Sequence, residues 1–148
     1  MLYFAYGSNL DESQMKLRCK ESKVLSTAWI EGYCLSFTRY SSGWDCGVAD
    51  VVLCEGKEVW GLLYQITDSD LKELDKFEGY PDAYTRFQTD ARTENKIYKG
   101  AYVYTVRLKS DFILPSSAYF NIIKRAATKH AFPEQYLESL NKKINLAI

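Results

Sequence analysis

The chain has 148 residues, of which 47% are apolar, enough for one domain with a sizeable core. Lys and Arg balance Asp and Glu at 19 each, which argues against a general nucleic-acid binder, because such a protein needs a basic excess. No run approaches the roughly 20 apolar residues of a membrane-spanning helix, and the start of the chain has neither a basic leader nor a long apolar run, so the expected location is cytoplasmic, with no membrane partner.

The first predicted strand is Leu2-Tyr3-Phe4-Ala5, running into Tyr6-Gly7-Ser8-Asn9-Leu10. A strand that ends in Gly-Ser-Asn before a helix leaves backbone N–H groups without ladder partners, a setting for a carboxylate or oxyanion. The same residues also suit an ordinary turn. Asp11 and Gln14 have the spacing of a capping box for a helix to about Cys19. Lys16, Arg18 and Lys20 on it, flanked by Glu12 and Glu21, read as a solvated face.

Trp29 to Thr38 alternates as a strand, with a turn at Ser41-Ser42-Gly43. Val48 to Leu53 and Glu58 to Ile66 read as two further strands separated by a Glu55-Gly56 turn, with Trp29 and Trp60 in the core. Trp44, in the polar turn, suits either a pocket mouth or solvent. Cys19, Cys34, Cys46 and Cys54 have no CxxC spacing, so the expectation is four reduced thiols, and with His130 the lone histidine no metal site is expected. Nothing in the pattern selects among Arg39, Arg86, Arg92 and Arg107 as a carboxylate binder.

A helix follows over 68–78, capped by Thr67 or Asp68 and stopped by Gly79, with Leu71, Leu74 and Phe77 as apolar positions. Glu78 lies four residues after Leu74 and seven after Leu71, which puts a carboxylate on the core-facing side. Burial and the negative helix C-terminus both raise the pKa of such a group, which suits a general base near neutral pH. A side chain that reaches out to solvent at the helix end is the alternative. Glu73 and Asp75 read as ordinary surface acids.

Tyr84 to Ala91 and Ile97 to Val106 complete about six strands. Helices are expected after Pro115-Ser116, carrying Tyr119, Ile122, Ile123 and Ala126, and from Pro133, with Tyr136, Leu137 and Leu140 inward. Successive strands without helical crossovers make the fold α+β, and glycines at 32, 47 and 61 allow a small mixed or antiparallel barrel with about four flanking helices.

Phe4-Ala5-Tyr6-Gly7-Ser8-Asn9-Leu10, Glu58-Val59-Trp60-Gly61, Leu74-Asp75-Lys76-Phe77-Glu78-Gly79, Pro115-Ser116-Ser117-Ala118-Tyr119 and Pro133-Glu134-Gln135-Tyr136 occur in this order. Together they resemble the γ-glutamylcyclotransferases. The resemblance implies a cofactor-independent cyclisation of a γ-glutamyl amino acid to 5-oxoproline and a free amino acid, in a small barrel. It implies Glu78 as the acid/base glutamate and Tyr3, Phe4, Ala5, Tyr6, Gly7, Ser8 and Asn9 as the loop holding the glutamyl group. Tyr119 matches a tyrosine that contacts ligand, and Tyr84 follows the glutamate where the family often has a tyrosine. Tyr6 or Ser8 is expected to anchor the substrate α-carboxylate. Related enzymes include homodimers, so that assembly is among those expected. Pro81 and Asp82 depart from the family pattern and put the leaving group in question. The alternatives are therefore another γ-glutamyl amide as substrate, or a binding module without turnover.

Overall fold

The computed structural model describes residues 1–148. Five strands, β1 (Leu2–Ala5), β2 (Lys23–Ser41), β3 (Cys46–Gln65), β4 (Tyr84–Arg92) and β5 (Ile97–Val106), close a barrel in the order β1-β3-β2-β4-β5. Four helices accompany it: α1 (Glu12–Arg18), α2 (Asp68–Glu78), α3 (Ser117–Lys129) and α4 (Glu134–Leu146). None is long and apolar enough to cross a membrane.

The strand count is five rather than six because the Glu55-Gly56 segment does not end a strand. Glu31 pairs with Glu58 and Tyr33 with Leu53, so residues 54–57 bulge out opposite Gly32 while pairing continues on both sides. A bulge of this kind bends a ribbon without breaking it. The same pairing overturns the expectation of four reduced thiols. Cys34 lies on β2 and Cys54 on β3 beside the bulge, their Cα atoms are 5.4 Å apart, and they form a disulfide. Cys19 and Cys46 are free and buried.

β1 lies between β3, which it meets antiparallel from Leu2↔Gln65 to Ala5↔Leu62, and β5, which it meets in parallel at Tyr3↔Tyr102. Trp29 and Trp60 are not core residues as expected. They pair across β2 and β3 with ring centroids 4.7 Å apart and stay half-buried. The helices start where the side-chain chemistry predicts. Asp11 caps α1 by accepting from the amides of Ser13 and Gln14, but Gln14 turns its own side chain to Asn9, so the capping box is incomplete. Thr67 and Asp70 form a reciprocal box on α2. Gly79 ends α2 in the left-handed conformation at φ 67°, the position glycine tolerates best. Ser116 caps α3, and Pro133 stands just before α4 rather than within its first turn. Tyr119, Ile122, Ile123 and Ala126 are all buried, as is Leu140.

A buried polar cluster ties the barrel end to the loop after β5. Asp50 on β3 is fully buried and accepts from the hydroxyls of Thr38 and Thr105, the amides of Val51 and Val106, and Lys109 Nζ. Five donors, one of them charged, offset the cost of burying the carboxylate.

Candidate active site

The turn after β1 and the end of α2 open on one cavity of about 470 Å³. Tyr3, Tyr6, Gly7, Ser8 and Asn9 line it from β1 and the following 3₁₀ turn, Glu78 from α2, Tyr84 from β4 and Tyr119 from α3. Two residues of the expected loop do not line it. Phe4 and Ala5 are fully buried, paired with Leu63 and Leu62 on a strand covered on both faces.

Glu78 is carried inward by Leu71 and Leu74, both buried on the same face of α2. Phe77 is exposed rather than inward and forms part of the cavity rim. The helix end is held by Asp75, which is no ordinary surface acid. It takes a bidentate pair from Arg86 at 2.9 and 3.2 Å and a hydrogen bond from the Tyr104 hydroxyl at 2.6 Å. Arg86 is in turn held between the rings of Tyr80 and Tyr102. Burial pushes the Glu78 carboxyl up to about 7, against the opposing pull of Arg18 and Arg39. The group keeps a small open face toward the cavity while the rest of its surroundings are dense protein. A carboxyl so displaced in a cleft has the proton affinity of a base working near neutral pH.

The turn is built to approach a ligand closely. The Gly7 carbonyl and the Ser8 carbonyl accept from Leu10 and Asp11, while the Gly7 amide has no backbone acceptor. A Cβ on Gly7 would stand 3.1 Å from Ala49 Cβ and 3.1 Å from the Tyr119 oxygen, so a side chain there is tight and obliges its neighbours to give by a few tenths of an ångström. Asn9 is the buried joint of the turn. Its Nδ2 donates to the Tyr3 oxygen at 3.0 Å, its Oδ1 accepts from Gln14 and Arg18, and its carbonyl accepts from Tyr64.

The tyrosine hydroxyls are not equivalent. Tyr6 spends its proton on the Tyr104 carbonyl at 2.7 Å and Tyr84 spends its proton on the Ala49 carbonyl at 3.0 Å. Tyr6 is therefore not a free donor for a carboxylate, which leaves Ser8 of the two anchors expected. Tyr119 accepts from the Ala49 amide at 3.0 Å and so keeps its own proton to donate. Burial raises the pKa of all three hydroxyls, so they are neutral donors and acceptors in the physiological range.

Several lining residues escape the sequence reading, two arginines among them. Arg18, expected on a solvated face, turns into the cavity, donates to Asn9 at 3.0 Å and lies over the Phe77 ring at 4.6 Å. Arg39 enters from β2 and lies 6.0 Å from the centre of the Tyr84 ring. Trp44 lines the cavity too, edge-on to Tyr119 with centroids 5.0 Å apart. Arg86, Arg92 and Arg107 do not line it, and His130 contacts Glu12 elsewhere.

A family model described as gamma-glutamyl cyclotransferase, AIG2-like, matches residues 3–120. The chain is 31% identical over 147 residues to the gamma-glutamylcyclotransferase of Bos taurus, spanning 95% of this chain and 77% of that protein. It is 30% identical over 146 residues to the Homo sapiens protein of the same name, spanning 94% and 76%. A solved structure named gamma-glutamyl cyclotransferase superposes with a TM-score of 0.87 at 28% identity, covering 95% of this chain and 86% of its own. YkqA from Bacillus subtilis superposes with a TM-score of 0.82 at 27% identity, covering 98% of this chain and 54% of its own.

Proposed function

The chain belongs to the gamma-glutamyl cyclotransferase, AIG2-like family, and from that premise we propose that it converts a γ-glutamyl amino acid into 5-oxoproline and the free amino acid, with Glu78 as general acid/base. The observation that carries this reading is the shared cavity: a carboxyl pushed up to about 7 and the Gly7–Asn9 turn line the same hollow.

The α-amine of the glutamyl group attacks its own γ-carbonyl carbon. Because nucleophile and electrophile belong to one molecule, the protein's main task is to hold the folded-back conformer. An ammonium cannot attack, so Glu78 takes one of its protons. The new C–N bond closes the five-membered ring and forms a tetrahedral oxyanion, for which the amides of the Gly7–Asn9 turn, none of which donates to a backbone carbonyl, are the available donors. Glu78 then gives its proton to the departing nitrogen as the original amide bond breaks, and relays the second excess proton of the ring nitrogen to the same nitrogen, so that the lactam keeps one N–H and the amino acid leaves with its ammonium. No electrons leave the system and no co-reactant is required. Ser8, the Tyr119 hydroxyl and Arg18 supply the polar contacts that orient the glutamyl end.

The test is Glu78→Gln, assayed for 5-oxoproline release from γ-glutamyl-alanine. The expected result is a folded protein with almost no product. Near wild-type turnover would remove Glu78 from the mechanism. Running the wild type against a panel of γ-glutamyl amino acids and γ-glutamyl amines separates the substrate classes. Ligand binding by calorimetry without turnover across the panel would instead make the chain a binding module.

A further inference from the structure

The cavity holds more positive charge than ring closure uses. Arg18, Arg39 and Lys76 line it, against a single acid, Glu78. Lys76 is committed to Glu73 on the surface of α2 at 3.0 Å. Arg18 is fixed by Asn9 and Phe77, so it belongs to the wall of the Gly7–Asn9 turn. Arg39 differs from both. Its guanidinium is partly buried, takes part in no ion pair or hydrogen bond, and faces the Tyr84 ring at the outer range of a cation–π contact. A guanidinium carries five N–H donors in a planar fork that matches a carboxylate, and leaving them unspent in a half-buried site is costly.

Position supplies the rest. Arg39 arrives on the β2–β3 hairpin together with Ser41, Gly43, Trp44 and Ala49. That wall is distinct from the turn and α1, which carry Ser8, Asn9 and Arg18. The tyrosine beneath Arg39 is immobilised, since the Tyr84 hydroxyl donates to Ala49. A γ-glutamyl amino acid bears two carboxylates, one on the part that becomes the ring and one on the residue that leaves. One cation stands on each of two walls of one cavity.

Resting on the cyclotransferase reading above, we propose that Arg39 reads the α-carboxylate of the departing amino acid and so makes the enzyme selective for γ-glutamyl amino acids over γ-glutamyl amines. A charge-assisted pair in such a site discriminates by about 10- to 100-fold.

The experiment compares γ-glutamyl-alanine with γ-glutamyl-ethylamide, which differ only in that carboxylate, by kcat/KM for 5-oxoproline release in the wild type, Arg39→Gln and Arg39→Lys. The wild type is expected to prefer the alanine compound by about 10- to 100-fold. Arg39→Gln should shrink that ratio to within about threefold, and Arg39→Lys, which keeps the charge but not the fork, should fall between. Calorimetry of Glu78→Gln with and without Arg39→Gln gives the corresponding affinity ratio for the two compounds without turnover, so an Arg39 variant impaired in activity still reports. A wild type that turns over both compounds equally overturns the assignment of Arg39. So does an Arg39→Gln variant that loses both activities in parallel, and both outcomes leave the cyclotransferase reading standing. A wild type that releases 5-oxoproline from neither compound overturns both readings.

Discussion

Replacing Glu78 by Gln should make the protein more stable at pH 8 even as it removes activity. Burial moves the Glu78 carboxyl from its ordinary 4.5 to about 7. At 1.36 kcal/mol per pH unit that displacement amounts to roughly 3 kcal/mol, and the open face toward the cavity lowers it to about 2 kcal/mol. The sign follows from proton counting. Between 4.5 and about 7 the folded chain binds more protons at this site than the unfolded chain does, so stability falls as pH rises through that window. Above it the folded wild type carries a desolvated charge that the neutral amide of the variant lacks; below 4.5 both states are protonated and the difference vanishes. A domain of this size gains about 2–4 °C per kcal/mol, so thermal unfolding of Glu78→Gln should occur about 4–8 °C above wild type at pH 8 and coincide with it at pH 4. Scanning calorimetry or circular dichroism at the two pH values reads this directly. Equal or lower melting of the variant at pH 8 would refute the claim that the carboxyl is held at a cost, and with it the physical basis for its acting as a base.

Activity itself should rise tenfold per pH unit on the acid side and level off near pH 7, because only the ionised carboxyl accepts the proton; initial rates of 5-oxoproline formation at low substrate report this limb. Arg39→Gln removes a cation that lowers this pKa and should shift the limb to higher pH. Gly7→Ala places a methyl 3.1 Å from both Ala49 and the Tyr119 oxygen and should reduce kcat/KM by about 100-fold with at most about 2 kcal/mol lost in urea unfolding. Asp50→Ala strands the buried amides of Val51 and Val106 and should cost about 3–5 kcal/mol in the same measurement, with Asp50→Asn falling between. Asp75→Ala releases Arg86 and Tyr104 from the end of α2 and should lower kcat about tenfold, with the lost pairing seen as about 2 kcal/mol in stability.

Glu78 was legible in the sequence because its inward orientation follows from helical spacing to Leu71 and Leu74, a purely local relation. The turn was legible only in combination: Gly-Ser-Asn also suits an ordinary turn, and the ordered set of motifs that resembles the family singled it out. Arg39 was not, because the β2 register shifts between Phe37 and Arg39, and one irregularity reverses which side chains face inward. Arg18 shares a helix with exposed Lys16, and the Asn9 side chain, placed by Tyr3, together with the Phe77 ring draws it into the cavity. Asp50 sits among apolar strand residues and receives its partners from positions 38, 105, 106 and 109. The Cys34–Cys54 bond likewise depends on how β2 and β3 align around a bulge. In each case the decisive feature is a side-chain contact or strand register set by the folded chain, and no periodicity of the sequence encodes it.

The insertion of β1 between β3 and β5 gives the first strand of the chain neighbours that lie far along the sequence. The earliest residues of the chain have their docking slot formed by partners some sixty and a hundred positions later, Gln65 and Tyr102. The segment that follows β1 is positioned by that seam, with the Tyr64 hydroxyl on the Asn9 carbonyl as a further tie from β3. A chain whose β1 is undocked therefore carries the α2 carboxyl without the turn that lines the cavity opposite it.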